Sequence, residues 1–218
     1  MKVNPVSSVN TKALPIADIK VKGVDSSYKL FSVNFHDRDF LEKMYKAIDL
    51  KKLMPGFYDY DYMVWDEILH NAVNFSKSAF SRSILGVCDN KPCGILNYKE
   101  YGVNYNLNYV ATFPSEPKKR VPCAGQILFN EFFNRFIHSN KRKIELCAVK
   151  NSPFSPIAIY KKLGFSMDGG DGYNEDMSIT KDRAFKALEK QSEFLTYIPT
   201  ENSEKVDLDG VLNLDFRI

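Results

Sequence analysis

The 218-residue sequence predicts a mixed α/β (α+β) fold: a central sheet of about six or seven strands flanked by helices, with an extension at each end. Three observations carry that prediction. Residues 83–113 hold three short alternating runs separated by turn residues, the pattern of an antiparallel meander. From Leu107 to Val149 the chain reads strand, basic turn, apolar helix, strand, the spacing of a right-handed crossover between parallel neighbours. Hydrophobic residues make up 44%, which fills one core, and the chain is too short for two full-sized catalytic domains.

Taken in order, Met1 to about Ser27 mixes Ser, Asn, Pro, Lys and single Val or Ile residues without a sustained period, so residues 1–27 read as a poorly ordered or loosely attached arm. Tyr28–Phe35 alternates as a strand. Asp37 is placed to cap a helix whose Phe40, Leu41, Met44 and Ile48 recur at helical spacing, and Pro55-Gly56 stops it. A second helix is expected from about Asp61 to Phe75, with Met63, Val64, Ile68, Ala72 and Phe75 as its buried candidates. Ser83–Cys88 and Lys91–Tyr98 are strands joined at Asp89-Asn90, a hairpin signal, and Asn104–Phe113 is the next. The helix after the basic turn carries Ile127, Leu128, Phe132 and Phe136 on one stripe, and Lys143–Val149 follows as a strand. Ser155 or Pro156 starts a short helix that Gly164 ends, Phe165 enters a strand, Gly169–Gly172 is a turn, and Asn174–Ile179 pairs back. Residues 28–180 thus form the domain. Residues 181–218 form a second extension, helix-like through Phe185, Leu188, Phe194 and Leu195, then alternating like an edge strand over Val211–Ile218.

Charge and cysteine usage narrow the function classes. A net charge of +3 and a pI near 8.5 suit a local anionic ligand better than nucleic acid along a whole face. Cys88, Cys93, Cys123 and Cys147 form no Cys-x-x-Cys pair and His36, His70 and His138 lie at no ligand spacing, so no metal is implied. Cys88 and Cys147 fall in apolar runs and read as buried thiols. No signal-peptide core or membrane-length apolar run is present, and a cytoplasmic setting with no membrane partner is the expectation.

The stretch from Leu107 to Leu128 has the order an anion site requires. A helix start offers backbone N–H groups without intrahelical partners and the positive end of the peptide dipoles. Here Lys118, Lys119 and Arg120 reach that end, Pro122 needs no donor, and Ala124 and Gly125 leave the backbone open. An isolated Lys-Lys-Arg is also what a solvated surface loop looks like.

Two blocks decide between these readings. Arg120-Val121-Pro122-Cys123-Ala124-Gly125 follows the pattern Q/R-x-x-G-x-G/A, with Cys123 where glycine is usual; Ala158, Tyr160, Leu163, Gly164 and Phe165 follow small-x-Tyr-x-x-Leu-Gly-Phe. In this order and separation they resemble the GNAT superfamily of N-acetyltransferases, over roughly Leu30 to Thr180. The resemblance implies a GNAT fold and acetyl-CoA as the acyl donor. Its pantetheine arm would bond to the backbone of Tyr109, Val110, Ala111 and Thr112. Its pyrophosphate would lie on Lys119, Arg120, Val121, Cys123, Ala124, Gly125 and Gln126, with Asn151 and Tyr160 also against the cofactor.

The implied reaction is direct attack of a primary amine on the thioester in a ternary complex, without a metal. Tyr160 is the candidate donor to the departing thiolate, and a phenol is neutral at physiological pH. Glu116 is a weak candidate for the base; Glu145, or Asp59 or Asp61 through water, are others, and Glu145 alternates as a solvent-facing strand residue would. The cluster Tyr58, Asp59, Tyr60, Asp61 reads either as a hinge whose rings plug the domain edge or, as the resemblance implies, as part of the acceptor pocket, where carboxylates and ring faces suit a cationic amine. Cys123, at a helix start beside cations, reads as a somewhat acidic thiol. A monomer or homodimer is expected. Two other classes fit the residues: a catalytically inactive GNAT-fold module that binds acyl-CoA or a protein partner, and a polyanion clamp built on Lys118–Arg120.

Overall fold

The computed structural model describes residues 13–49, 59–113, 120–150, 156–201 and 204–216. Its centre is a nine-stranded sheet: β1 (Leu14–Val21), β2 (Tyr28–Val33), β3 (Arg82–Cys88), β4 (Lys91–Tyr101), β5 (Asn104–Thr112), β6 (Lys143–Val149), β7 (Ser166–Gly170), β8 (Asn174–Thr180) and β9 (Leu195–Pro199). Their order across the sheet is β7-β8-β6-β5-β4-β3-β2-β1-β9. Every neighbouring pair is antiparallel except β5 and β6, the crossover the sequence predicts. The β3–β4 turn puts Asp89 and Asn90 at φ 49° and 62°, the left-handed pair that a tight hairpin needs.

Helices cover both faces. On one side lie α1 (Arg38–Ala47) and α2 (Asp59–Ser76), on the other α3 (Ala124–Ile137), α4 (Pro156–Lys162) and α5 (Lys181–Ser192). A short α6 (Leu208–Val211) follows β9. In α3, Ile127, Leu128, Phe132, Phe133 and Phe136 are all fully buried against the sheet. Two glycines of the meander let it seat closely: a Cβ on Gly94 would stand 3.0 Å from both the Ala111 carbonyl oxygen and Leu128 Cδ1, and one on Gly86 3.3 Å from Leu128 Cδ2. Polar side chains inside this layer are paired. Arg135 Nε donates to Glu131 Oε1 at 2.6 Å and its NH1 to the Tyr98 hydroxyl at 3.2 Å, while the Tyr197 hydroxyl of β9 donates to Glu131 Oε2 at 2.6 Å.

The ends of the chain depart from expectation. The supposed loose arm, residues 1–27, contains β1, with Ala17, Ile19 and Val21 buried and Asp18 and Lys20 exposed. A register shift between Pro15 and Ala17 breaks the alternation, and the strand is held by β2 and by β9, which lies far along the chain. The closing edge strand is Leu195–Pro199; of the expected strand over 211–218, residues 211–216 are described and are not one: Val211 ends α6, and Leu212, Leu214 and Phe216 pack on the α1–α2 core. These two added strands raise the sheet, among the described residues, from the expected six or seven to nine.

Two smaller corrections concern faces. Helix α2 buries Trp65, Leu69, Ala72 and Val73, whereas Met63 is 70% exposed, because the large indole rather than the thioether takes the inward stripe. Cys147 is exposed rather than buried. It shares with Lys143, Glu145 and Val149 a face of β6 opposite the buried Ile144, Leu146 and Ala148.

Candidate functional site

Two strands that begin as neighbours and then part define the site. β5 and β6 pair only at Tyr105–Ile144 and Asn106–Glu145, although β5 runs on to Thr112 and β6 to Val149. A bulge turns β5 away: its register on β4 passes from Tyr98–Leu107 to Asn97–Tyr109 and leaves Asn108 unopposed. Asn97 holds the bulge. Fully buried, it donates from its amide to the Ala72 carbonyl of α2 at 2.6 Å and accepts from the Tyr109 N–H at 3.1 Å. The residue was legible as a lone amide inside an apolar strand, but nothing local in the sequence assigns it this task.

Beyond the bulge the edge of β5 is set by alternation. The Phe113 N–H donates to the Cys93 carbonyl at 2.9 Å and Ala111 stands opposite Ile95, so the odd residues bond to β4. Val110 and Thr112 therefore direct their backbone groups into the opening that β6 has left. Of the four strand residues expected at the cofactor, these two face the cleft through their backbone, and Tyr109 and Ala111 turn theirs to β4.

The start of α3 stands at the end of this edge; a Cβ on Gly125 would lie 3.8 Å from Thr112 Cγ2. Arg120 and Gln126 are exposed, Val121, Cys123 and Gly125 half-buried, and Ala124 buried. The Tyr28 hydroxyl donates to the Pro122 carbonyl at 2.9 Å and ties the turn to β2. Ala124 N–H is directed to the Val121 carbonyl at 3.4 Å, whereas the first-turn N–H groups of Gly125 and Gln126 have no acceptor within the helix. Cys123 is the N-cap at φ 58° and ψ 9°, the left-handed conformation that glycine adopts without strain, and its side chain makes no cap bond. Burial pushes its thiol up, against the expectation of an acidic cysteine.

Tyr160 lies on α4. Its ring packs edge-on to Phe129 of α3 (6.1 Å between centroids) and to Phe165 (5.7 Å), so the aromatic stripe of α3 fixes its position. Burial pushes its phenol up to about 12. It is therefore protonated throughout the physiological range, but it is a weaker acid than an ordinary tyrosine.

Tyr58, Glu116, Lys119 and Asn151 lie outside the described residues. Asp59, Tyr60 and Asp61 open α2, where Tyr60 is 66% exposed. Tyr60 borders an open groove of about 640 Å³ between α1 and α2, in which the Tyr45 hydroxyl donates to Asp66 Oδ1 at 2.9 Å; none of the groove's lining residues comes from β5, β6 or α3. Glu145 is engaged, accepting from Asn104 Nδ2 at 3.0 Å and pairing with Lys143 Nζ at 2.6 Å. Among the described residues no group of His, Cys, Asp and Glu could hold a metal ion, and no helix is long and apolar enough to cross a membrane.

No family model matches the chain. A trigger factor of Pelagibacter ubique (strain HTCC1062) is 25% identical over 203 residues, covering 78% of this chain; the chain spans 41% of that relative's length. Solved structures agree on architecture. The PaiA N-acetyltransferase of Thermoplasma acidophilum, in complex with coenzyme A, superposes with a TM-score of 0.51 at 18% identity, over 71% of this chain and 99% of that one. FdhC, a nucleotide-linked sugar GNAT in its apo form, superposes with a TM-score of 0.55 at 13% identity, over 82% and 98%. At such identities the shared property is the fold, a mixed sheet with flanking helices.

Proposed function

We propose that this chain, built on the GNAT fold, is an acyl-CoA-dependent N-acyltransferase that moves an acetyl group from acetyl-CoA to a primary amine in a ternary complex. The observation that carries the reading is the parting of β5 and β6 beyond Asn106 and Glu145. It leaves the backbone of Val110 directed at an opening that ends on the first turn of α3. An extended amide-bearing arm fits there as a substitute strand, and a pyrophosphate fits the N–H groups of Gly125 and Gln126 with Arg120 beside them. Ala124 and Gly125 leave room for that approach, and the left-handed backbone at Cys123 is the shape a glycine would give the turn.

The chemistry follows from that placement. A neutral amine attacks the thioester carbonyl, the C–N bond forms, and the C–S bond breaks with the electron pair leaving on sulfur; the proton lost by nitrogen replaces the one the thiolate takes up. The Val110 N–H can polarise the carbonyl, and the Tyr160 hydroxyl can meet the thiolate. With its phenol near 12 against about 8.5 for an alkyl thiol, complete transfer from Tyr160 is unfavourable by roughly three powers of ten. Its task is therefore hydrogen-bond donation, with the proton supplied from the amine side.

The test is a thermal-shift and calorimetric titration with acetyl-CoA of the wild type, Arg120→Ala and Tyr160→Phe. The wild type should bind, Arg120→Ala should bind at least about tenfold more weakly, consistent with a lost charge-assisted phosphate contact, and Tyr160→Phe should bind normally while losing turnover. Absence of any shift with acetyl-CoA, or full turnover by Tyr160→Phe, would defeat the reading.

A further inference from the structure

The run Asn104-Tyr105-Asn106-Leu107-Asn108 puts three amides along one strand, alternating with Tyr105 and Leu107, which are buried on the α3 side. Asn106 pairs in register with Glu145 and so shares its face of the sheet, opposite α3. Asn104 is satisfied by Glu145. The next two amides are not. Asn106 Oδ1 and Asn108 Nδ2 are buried from solvent and have no hydrogen-bond partner. A buried polar atom without a partner is costly, and in a folded protein it needs an explanation. Both atoms lie where β5 begins to leave β6, at the mouth of the cleft.

Their surroundings specify what would satisfy them. Glu145 is neutralised by Lys143 and occupied by Asn104, so this part of the floor carries no free negative charge for a bare cation. Beside the bulge stand two rings, Tyr109 and Phe75, 5.1 Å apart between centroids, and Phe75 is 37% exposed although it sits at the end of a core helix. At about 3.3 Å per residue the two amides are roughly 6–7 Å apart along the strand, a span one ring-sized molecule bridges. Amides that both accept and donate, next to an exposed aromatic face, suit a molecule with hydroxyl groups on its edge and an apolar ring face.

We propose that Asn106 and Asn108, walled by Phe75 and Tyr109, are the acceptor-specificity site, and that the acceptor is a hydroxylated ring amine of the amino-sugar class rather than a linear polyamine. The assignment rests on the acyltransferase reading for the reaction, though not for the binding. The orphaned atoms are covered in the free protein, so the ligand must displace what covers them, and their cost is recovered when its hydroxyl groups reach them.

The experiment uses the full chain as wild type, Asn106→Leu and Asn108→Leu, near-isosteric changes that delete the amides. Three readouts are taken: the Tm of the free protein, the Tm shift given by glucosamine and by spermidine, and the KM values for each amine and for acetyl-CoA. Glucosamine should raise the wild-type Tm more than spermidine does. Each variant should match or exceed the wild-type Tm when free, lose the glucosamine shift, and raise the KM for glucosamine about tenfold with that for acetyl-CoA unchanged, the loss expected of one buried hydrogen bond. A free-protein Tm several degrees below wild type would show that the amides are already satisfied, and would overturn the proposal. So would an unchanged glucosamine response, or a wild-type preference for spermidine. If acetyl-CoA neither binds nor turns over, the acyltransferase reading fails, while the glucosamine shift and its loss in the variants still decide this one.

Discussion

Replacing Asn97 by alanine tests whether the bulge in β5 is held by one side chain. The amide makes two hydrogen bonds inside the core, to the Ala72 carbonyl at 2.6 Å and from the Tyr109 N–H at 3.1 Å. The two losses are unequal. Ala72 keeps the Ser76 hydroxyl as a donor at 2.8 Å, so losing that bond costs about 0.5–1.5 kcal/mol, whereas the Tyr109 N–H is left facing a cavity, at about 1–3 kcal/mol. Together they amount to about 2–4 kcal/mol, which for a chain of this size lowers Tm by roughly 5–15 °C. Circular dichroism during heating measures the shift, and amide hydrogen exchange at Tyr109 should accelerate relative to Ala111. Asn97→Asp separates the two bonds. The introduced carboxylate can still accept from Tyr109 but offers Ala72 nothing, and its burial raises its pKa, so its stability relative to wild type should improve as pH falls through that raised pKa and the carboxyl regains a proton to donate. An Asn97→Ala variant within about 1 °C of wild type, against the several degrees expected from these losses, would refute the reasoning.

Cys123 should be better as glycine than as alanine: both remove sulfur, but only alanine keeps a Cβ in the left-handed conformation, and a difference of about 1 kcal/mol, or about 2–4 °C, is expected in favour of glycine; equal melting would mean the position carries no strain. Tyr160→Phe should lower kcat by about 10²-fold with the KM for acetyl-CoA nearly unchanged. Because the phenol sits near 12, the wild-type pH–rate profile should show no falling limb from this residue below about pH 10, and a limb there that the variant lacks would contradict the assignment. Tyr197→Phe removes a 2.6 Å bond to the buried Glu131 and should cost about 1–3 kcal/mol in denaturant unfolding, with the loss concentrated in β9 and β1 by hydrogen exchange.

Most of the sheet was legible because its strands carry their own period. Cys93–Tyr98 and Lys143–Val149 alternate or run apolar whatever surrounds them, and Asp89-Asn90 specifies its turn locally. Strands β1 and β9 were not, because they stabilise each other across the length of the chain and neither offers a clean run: Pro15 and a register shift interrupt the first, and the second is only Leu195–Pro199. At the site, the basic turn before α3 was visible as composition, and its glycine-like position as a departure from a motif. That Cys123 keeps the left-handed backbone is a tertiary fact, enforced by the Tyr28 bond to Pro122 and the packing of Ala124. The amides of Asn106 and Asn108 drew no attention in the sequence, since being unsatisfied is a property of neighbours that only the folded chain supplies.

The pairing of β1 with β9 also puts a clock on folding. During synthesis β1 is among the first described segments to appear, yet the outer row of its backbone groups stays open until residues 195–199 have been made. Through most of translation the nascent sheet therefore presents an unpaired edge, and the Glu131–Arg135 pair waits without the tyrosine that closes it. A stalled or prematurely ended chain would contain every residue of the cleft from Val110 to Tyr160 and still lack its last strand. Such a product should be sticky rather than merely inactive, and its fate in a cell would be decided by chaperones and proteases before any ligand could stabilise it.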